Sequence, residues 1–254
     1  MKTEILYEDN SILVIRKPAG LAVQSAGIGQ PDVVSELKSY LAKLPGAGRP
    51  GKGEPYLGIV HRLDQPVEGL LVFAKDKKAA AALSKQLAEG ALNKHYYAVL
   101  CGYPDCPEGD LVDYLRKEGN VAVAVTGREQ EFADAKIAAL HYRILEEIND
   151  PSPLALADVT IGTGRFHQIR VQFAHAGFPL LGDTKYGTAA RKEAMPAQKY
   201  RGVALCAYSL EIVHPISGKK MGFRVVPKNP AFAGFAMEEL KKLTENETGI
   251  SKRG

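Results

Sequence analysis

His61-Arg62-Leu63-Asp64-Gln65-Pro66-Val67-Glu68-Gly69-Leu70-Leu71-Val72-Phe73-Ala74-Lys75 is the stretch on which the reading of this chain turns. Leu70 to Ala74 is an unbroken apolar run, the pattern of a strand buried on both faces. Pro66 and Gly69 punctuate the approach to it as a loop. Asp64, with His61 and Arg62 beside it, is therefore a carboxylate on a loop braced by a core strand. Such loops carry chemistry, because the scaffold fixes geometry while the side chain stays reachable. An isolated Asp is explained equally well as a turn residue, so the weight falls on the remainder of the chain.

Toward the N-terminus, Ile5 to Tyr7 and Ile12 to Arg16 read as short strands, and Pro18-Ala19-Gly20 turns the chain. After Pro31, the residues Val33, Val34, Leu37, Tyr40, Leu41 and Leu44 recur at helical spacing until Pro45 ends the helix. Pro45 to Pro55 holds four glycines and three prolines and reads as a loop. Within it, Gly46 to Gly53 satisfies G-x-x-x-x-G-K, but Gly53 stands where a phosphate loop needs the Ser or Thr that binds magnesium. The segment also follows a helix instead of a strand, so no nucleotide cofactor is expected. Gly162-x-Gly164 is half a dinucleotide fingerprint, with His167 in the third glycine's place.

Toward the C-terminus, Asp76 caps an Ala/Leu-rich helix that stops at Gly90. Strands are expected at Lys94 to Leu100, Val121 to Val125, Ala135 to Ile144, Leu154 to Ile161, Val203 to Val213 and Met221 to Val226. A final helix is expected from Ala231 to Leu243, before a polar tail from Thr244 to Gly254. Strands outnumber helices and follow one another without helices between them. The pattern predicts an α+β fold, a mixed, largely antiparallel central sheet with packed helices, in one domain spanning residues 1–254.

Composition bounds the function. Hydrophobic and charged fractions of 45% and 24% are those of an ordinary globular protein. No apolar run reaches membrane-spanning length, and Glu4, Glu8 and Asp9 rule out a signal peptide, so a cytoplasmic protein is expected. Cys101, Cys106 and Cys206 match neither a zinc ribbon nor a thioredoxin motif and read as reduced thiols. The formal net charge of +4 is concentrated: Thr184 to Arg201 carries Lys185, Arg191, Lys192, Lys199 and Arg201 against the single acid Glu193. Tyr186 and Tyr200 lie among these cations, a mixture suited to a nucleic-acid backbone and unstacked bases.

A second stretch gives Asp64 its context. Gly162-Thr163-Gly164-Arg165-Phe166-His167-Gln168-Ile169-Arg170 follows about a hundred residues later. Together the two resemble the RluA family of pseudouridine synthases, marked by His-Arg-Leu-Asp-x-x-Thr-Ser-Gly before a strand ending Ala-Lys, and by Thr-Gly-Arg-x-His-Gln-Ile-Arg. Lys17-Pro18-Ala19-Gly20-Leu21, Lys94-His95-Tyr96-Tyr97, Leu180 to Gly187, Leu205-Cys206-Ala207-Tyr208 and His214-Pro215 extend the resemblance over most of the chain. Val67 and Glu68 depart from it, standing where Thr and Ser are common.

The resemblance implies a redox-neutral isomerisation of uridine in rRNA or tRNA, needing no cofactor and no metal. It makes Asp64 the catalytic residue, as nucleophile or as base at C2′, a choice the residues leave open. It pairs Arg165 with that carboxylate and assigns Tyr96 to the uracil, although a strand tyrosine is otherwise ordinary core. His61, Arg62, Lys75, Val171, Leu180, Lys185 and Tyr186 complete the expected substrate contacts, with core packing the plain alternative for Val171 and Leu180. His61, His167 and His175 lack acids or cysteines at ligand spacing and read as structural. The resemblance begins within the first ten residues, which implies no preceding RNA-binding module and a stem-loop target; a monomer is expected. Two rivals stand beside this reading: a non-catalytic RNA-binding protein of the same fold, and a glycoside hydrolase pairing Asp64 with Glu68.

Overall fold

The apolar run from Leu70 becomes the middle of β4 (Glu68–Ala74), buried at every position. The structure, a computed structural model, describes residues 1–25, 27, 29–44, 54–126, 134–149, 152–187 and 202–236. These residues fall into two compact units, each with its own strands. The first takes Met1–Lys94 and Ala207–Pro227, and the second takes His95–Cys206 and the residues from Lys228.

In the first unit, β1 (Glu4–Glu8), β2 (Ile12–Lys17) and β4 lie side by side, β3 (Gly58–Ile59) adds to β4, and β10 (Leu205–Val213) follows β4 and carries β11 (Lys220–Arg224). The β1/β2, β2/β4, β3/β4 and β10/β11 registers are all antiparallel. β2, like β4, is buried at all its positions, so the pair forms the spine of this unit. Its register sets Lys17 opposite Gly69. Helix α1 (Val33–Leu41) starts where Asp32 accepts the Ser35 N–H at 2.7 Å, and α2 (Lys77–Ala88) where Asp76 accepts that of Ala79 at 2.8 Å. Asp9 joins the ends of the unit, accepting from Ser11 and Ile12 backbone N–H groups and bonding His214 Nε2 at 2.7 Å.

Gly69 is irreplaceable on geometric grounds. Its φ is +128°, and a Cβ there would run into the backbone nitrogen and oxygen of Ala207. Both obstacles are main chain and cannot swing aside. Gly69→Ala is expected to cost about 3 kcal/mol or more. Chemical denaturation of the variant checks this, and a wild-type midpoint would refute it.

In the second unit, β5 (Asn93–Cys101), β9 (Leu154–Ile161), β8 (Lys136–Ile148), β6 (Glu108–Glu118) and β7 (Val121–Ala124) follow one another in that order, with antiparallel registers throughout. Helix α3 (Gln168–His175) packs near β6 and β7, burying Val171 in a cluster with Leu115, Ala122 and Ala138. The α+β expectation holds. Three elements were not expected: β3, β6 and α3. Of the helix expected from Ala231 to Leu243, the described part forms only a 3-10 turn at Pro230–Phe232 capped by Asn229, with residues 233–235 in a turn and bend; residues from 237 onward lie outside the described ones.

Candidate active site

Asp64 sits on a loop held down by its main chain. Its carbonyl accepts the Val67 N–H at 3.0 Å, closing a turn, while the next carbonyl, that of Gln65, accepts the Gly20 N–H at 2.8 Å. Leu63 and Val67 on either side are buried, whereas Asp64 is half-buried and Arg62 exposed. The side chains that could meet a substrate thus face outward from an anchored backbone. A cavity of about 630 Å³ opens against this loop, lined in part by Lys2, Pro18, Gly20, Gln24, Gln30 and Gln65.

The anchor is Lys17, which the sequence reading placed only in the family's entry segment. Its side chain is completely buried, and its ammonium donates to the carbonyls of Leu21 (2.7 Å), Gln65 (3.0 Å) and Pro18 (3.0 Å). Burial drives its pKa down to about 7, against the opposing charges of Asp64 and Glu68. One side chain therefore staples the entry segment to the Asp64 loop and sets a positive charge near the carboxylate. Glu68, the residue in the usual Ser position, is itself buried and meets Arg16 NH2 at 3.6 Å.

His61, which the resemblance sets among the substrate contacts, is buried and bonded within its own unit. Its Nε2 accepts the Val72 N–H at 3.3 Å, tying the motif's first residue to β4. Desolvation, with the charge of Lys94, pushes its pKa down to about 3. The unfolded chain binds a proton on His61 as pH falls through 6.5, while the folded chain resists until about 3, so stability drains across that interval. At about pH 5 the loss is roughly 2 kcal/mol. Denaturation of wild type and His61→Gln at neutral and acid pH tests this: the variant is expected to lose less on acidification, and parallel losses would refute it.

Lys75, expected at the substrate, lies at the other end of β4, roughly 20 Å from Glu68 at about 3.3 Å per residue. Its ammonium pairs with Glu8 at 2.7 Å and donates to the Asp9 carbonyl. That position answers to the closure of the unit and not to Asp64.

In the second unit, Tyr96 is 5% exposed on β5, opposite Val159, and Tyr97 points to the other face. Arg165 lies in the loop between β9 and α3, half-buried, its Nε donating to the Ile137 carbonyl at 2.9 Å. That bond orients the guanidinium plane. Gln168, not singled out in the sequence, shapes the loop: its Oε1 accepts from Thr163 Oγ1 (2.8 Å) and the Arg165 N–H (2.9 Å), and its Nε2 donates to the Ala139 carbonyl (3.0 Å). His167 takes a left-handed φ of 54° as α3 begins, and its Nδ1 lies 2.6 Å from the Tyr186 hydroxyl.

Tyr186 and Lys185 are both engaged within their unit. The Tyr186 hydroxyl accepts the Ala122 N–H at 2.8 Å, and Lys185 Nζ donates to the Asn120 carbonyl at 2.7 Å. Arg170 and Asp183 form a buried two-point ion pair at 2.7 and 2.8 Å, and Asp183 also accepts the backbone N–H groups of Lys185 and Tyr186. The second motif and the segment after it are thus one hydrogen-bonded assembly. Val171 and Leu180 are both buried; the first belongs to the α3 core cluster, and the second bridges Leu100. Arg191, Lys192, Lys199, Tyr200 and Arg201 lie outside the described residues, as does the Gly46 to Gly53 loop. Among the described residues no group of three His, Cys, Asp or Glu side chains is placed to hold a metal ion, and no helix is long and apolar enough to cross a membrane.

Comparison with known proteins identifies the family. The model of the RNA pseudouridylate synthase family matches residues 11–175. A ribosomal large subunit pseudouridine synthase D of Zymomonas mobilis is 36% identical over 227 residues, covering 87% of this chain and 68% of its own. An uncharacterized RNA pseudouridine synthase of Synechocystis is 37% identical over 226 residues, covering 85% of this chain and 63% of its own. The chain thus spans about two thirds of the length of these curated relatives. The structure of human RNA pseudouridylate synthase domain containing 1 superposes with a TM-score of 0.70 at 19% identity, covering 96% of this chain and 94% of that one, a likeness of fold. The match across both motifs and the identity over most of the chain establish that it belongs to the RluA family of pseudouridine synthases.

Proposed function

We propose that this protein isomerises uridine in ribosomal RNA, with Asp64 as the catalytic carboxylate, Arg165 as the guanidinium that orients it and Tyr96 as the support for the uracil. The reaction breaks the N1 to C1′ bond, turns the base and joins C1′ to C5. The C5 hydrogen leaves to solvent and N1 takes up a proton, so atoms and electrons balance without an oxidant or reductant. The observation that carries the reading is the loop itself: a half-buried carboxylate on a backbone stapled by Lys17 and Gly20. Rigid placement of this kind is what a reacting group requires. Arg165 draws support from its motif and from a guanidinium plane set by Ile137. The names of the bacterial relatives favour rRNA over tRNA.

On this reading the chain works as one catalytic domain, a cytoplasmic monomer without cofactor. A cavity reaches the same loop at Gln65, the residue after Asp64. A target uridine must leave its stack to reach the carboxylate, and unstacking is least costly in a loop or bulge. A short stem-loop carrying the target is therefore expected to react about as efficiently as the full-length RNA. Tritium release from RNA labelled at uracil C5 is the assay. No release from total cellular RNA would favour a binding protein, and reaction only in long transcripts would remove the stem-loop specificity.

A further inference from the structure

Phe166 is 40% exposed, although it stands directly before α3, where every residue from Gln168 to Phe173 is buried. A lone exposed aromatic needs no explanation, but this one is held from beneath. Its ring stacks on the imidazole of His167, with centroids 3.8 Å apart and planes 21° apart. Neighbouring side chains diverge in a strand and in a helix, and the left-handed φ of 54° at His167 escapes both geometries. The His167 ring in turn meets Tyr186 edge-on at 5.6 Å, and its Nδ1 lies 2.6 Å from the hydroxyl that the Ala122 N–H fixes. Below Tyr186, 5.1 Å from the ring centre, lies the guanidinium of Arg170, buried against Asp183. Phe166 is therefore the outermost member of a series of planar groups anchored in the core of its unit.

Positive charge surrounds this ring. Lys117, exposed on β6, places its ammonium 4.9 Å from the Phe166 ring centre. In the β6/β7 register it lies opposite Ala122, on the sheet face that packs against α3 through Leu115 and Ala122. Its neighbours Arg116 and Glu118 fall on the other face, where they pair at 2.6 Å, so the nearest acid along the strand is engaged elsewhere. Lys185, also exposed, donates to the Asn120 carbonyl in the turn between β6 and β7. An ammonium over an exposed ring is held weakly and exchanges readily for a phosphate. A rigid aromatic beside exposed ammonium groups suits a single-stranded nucleic acid, with a base on the ring and phosphates on the cations.

We propose that Phe166 is a stacking platform for an unstacked base of the substrate RNA, and that Lys117 moves from the ring to the phosphate beside that base. The inference rests on the isomerase reading, in which the preceding residue, Arg165, serves the reaction; on that reading the stacked base lies near the target uridine. The rings beneath Phe166 have a purpose in this role, because a platform already fixed in place loses little freedom when a base settles on it.

The chain contains no tryptophan, so Phe166→Trp sets a single indole at the platform. Short single-stranded oligouridine is expected to quench its fluorescence and shield it from acrylamide, whereas inorganic polyphosphate, which offers charge without bases, should do neither. Affinity for a dye-labelled oligouridine, followed by anisotropy, is expected to fall about tenfold in Phe166→Ala and to hold in Phe166→Tyr, which keeps the ring. Lys117→Gln should flatten the salt dependence of binding by about 0.7 of a log–log unit, the share of one phosphate contact. An indole that oligouridine leaves unquenched overturns the proposal, as does wild-type affinity in a folded Phe166→Ala protein. Equal losses in Phe166→Ala and Phe166→Tyr also overturn it, since a stacking surface survives in the second. An unchanged salt slope in Lys117→Gln overturns the phosphate contact of Lys117. Should the indole be quenched as expected while wild type releases no tritium from any RNA, the platform stands and the isomerase reading falls.

Discussion

Asp64→Asn is expected to slow tritium release by on the order of 10³-fold or more while leaving folding and RNA binding intact. The two side chains have nearly the same shape, and the substitution retains the backbone carbonyls of Asp64 and Gln65 that brace the loop. These braces do not depend on the charge. Catalysis does under either mechanism, because an amide is too weak a nucleophile to attack C1′ and too weak a base to take a proton from C2′. One side effect is foreseeable. Lys17 loses a carboxylate that helps keep it protonated, so binding should be compared slightly below neutral pH, where its ammonium persists. Release at the wild-type rate would end the enzymatic assignment.

Arg165→Lys is expected to cost roughly 10²-fold in rate with little change in melting temperature. Lysine keeps the charge but has no Nε to hold the Ile137 carbonyl and no planar fork to fix a carboxylate. A flexible ammonium can sit near the right place without setting an angle. Stability should change little, because Arg165 is half-buried and the loop is shaped by Gln168 through the Arg165 backbone, which the substitution retains. Near-wild-type turnover would mean that Arg165 supplies only a diffuse positive field.

What could be read from the chain were features with a local cause. β2 and β4 announce themselves as unbroken apolar runs, and Asp76 followed by Lys77 to Ala88 is a cap and a helix in sequence as in space. The two motifs located Asp64 and Arg165 because each is contiguous. β6 escaped because Glu108 to Glu118 is polar and largely exposed, and its existence depends on pairing with β8 and β7. Helix α3 escaped because Gln168, Arg170 and Gln172 are buried along with Ile169, Val171 and Phe173, which erases the apolar stripe of a surface helix.

The sequence by itself determined the family, the α+β class and the carboxylate at its centre, because repeated short motifs and hydrophobic periodicity are properties of neighbours along the chain. Only the tertiary structure decided the electrostatics. Lysine is almost never fully buried, so nothing local marks Lys17 as an interior ammonium, nor Glu68 as the partner of Arg16. Their roles arise when β2 pairs with β4 and water is removed from between them, since desolvation and charge proximity are set by what the fold brings together.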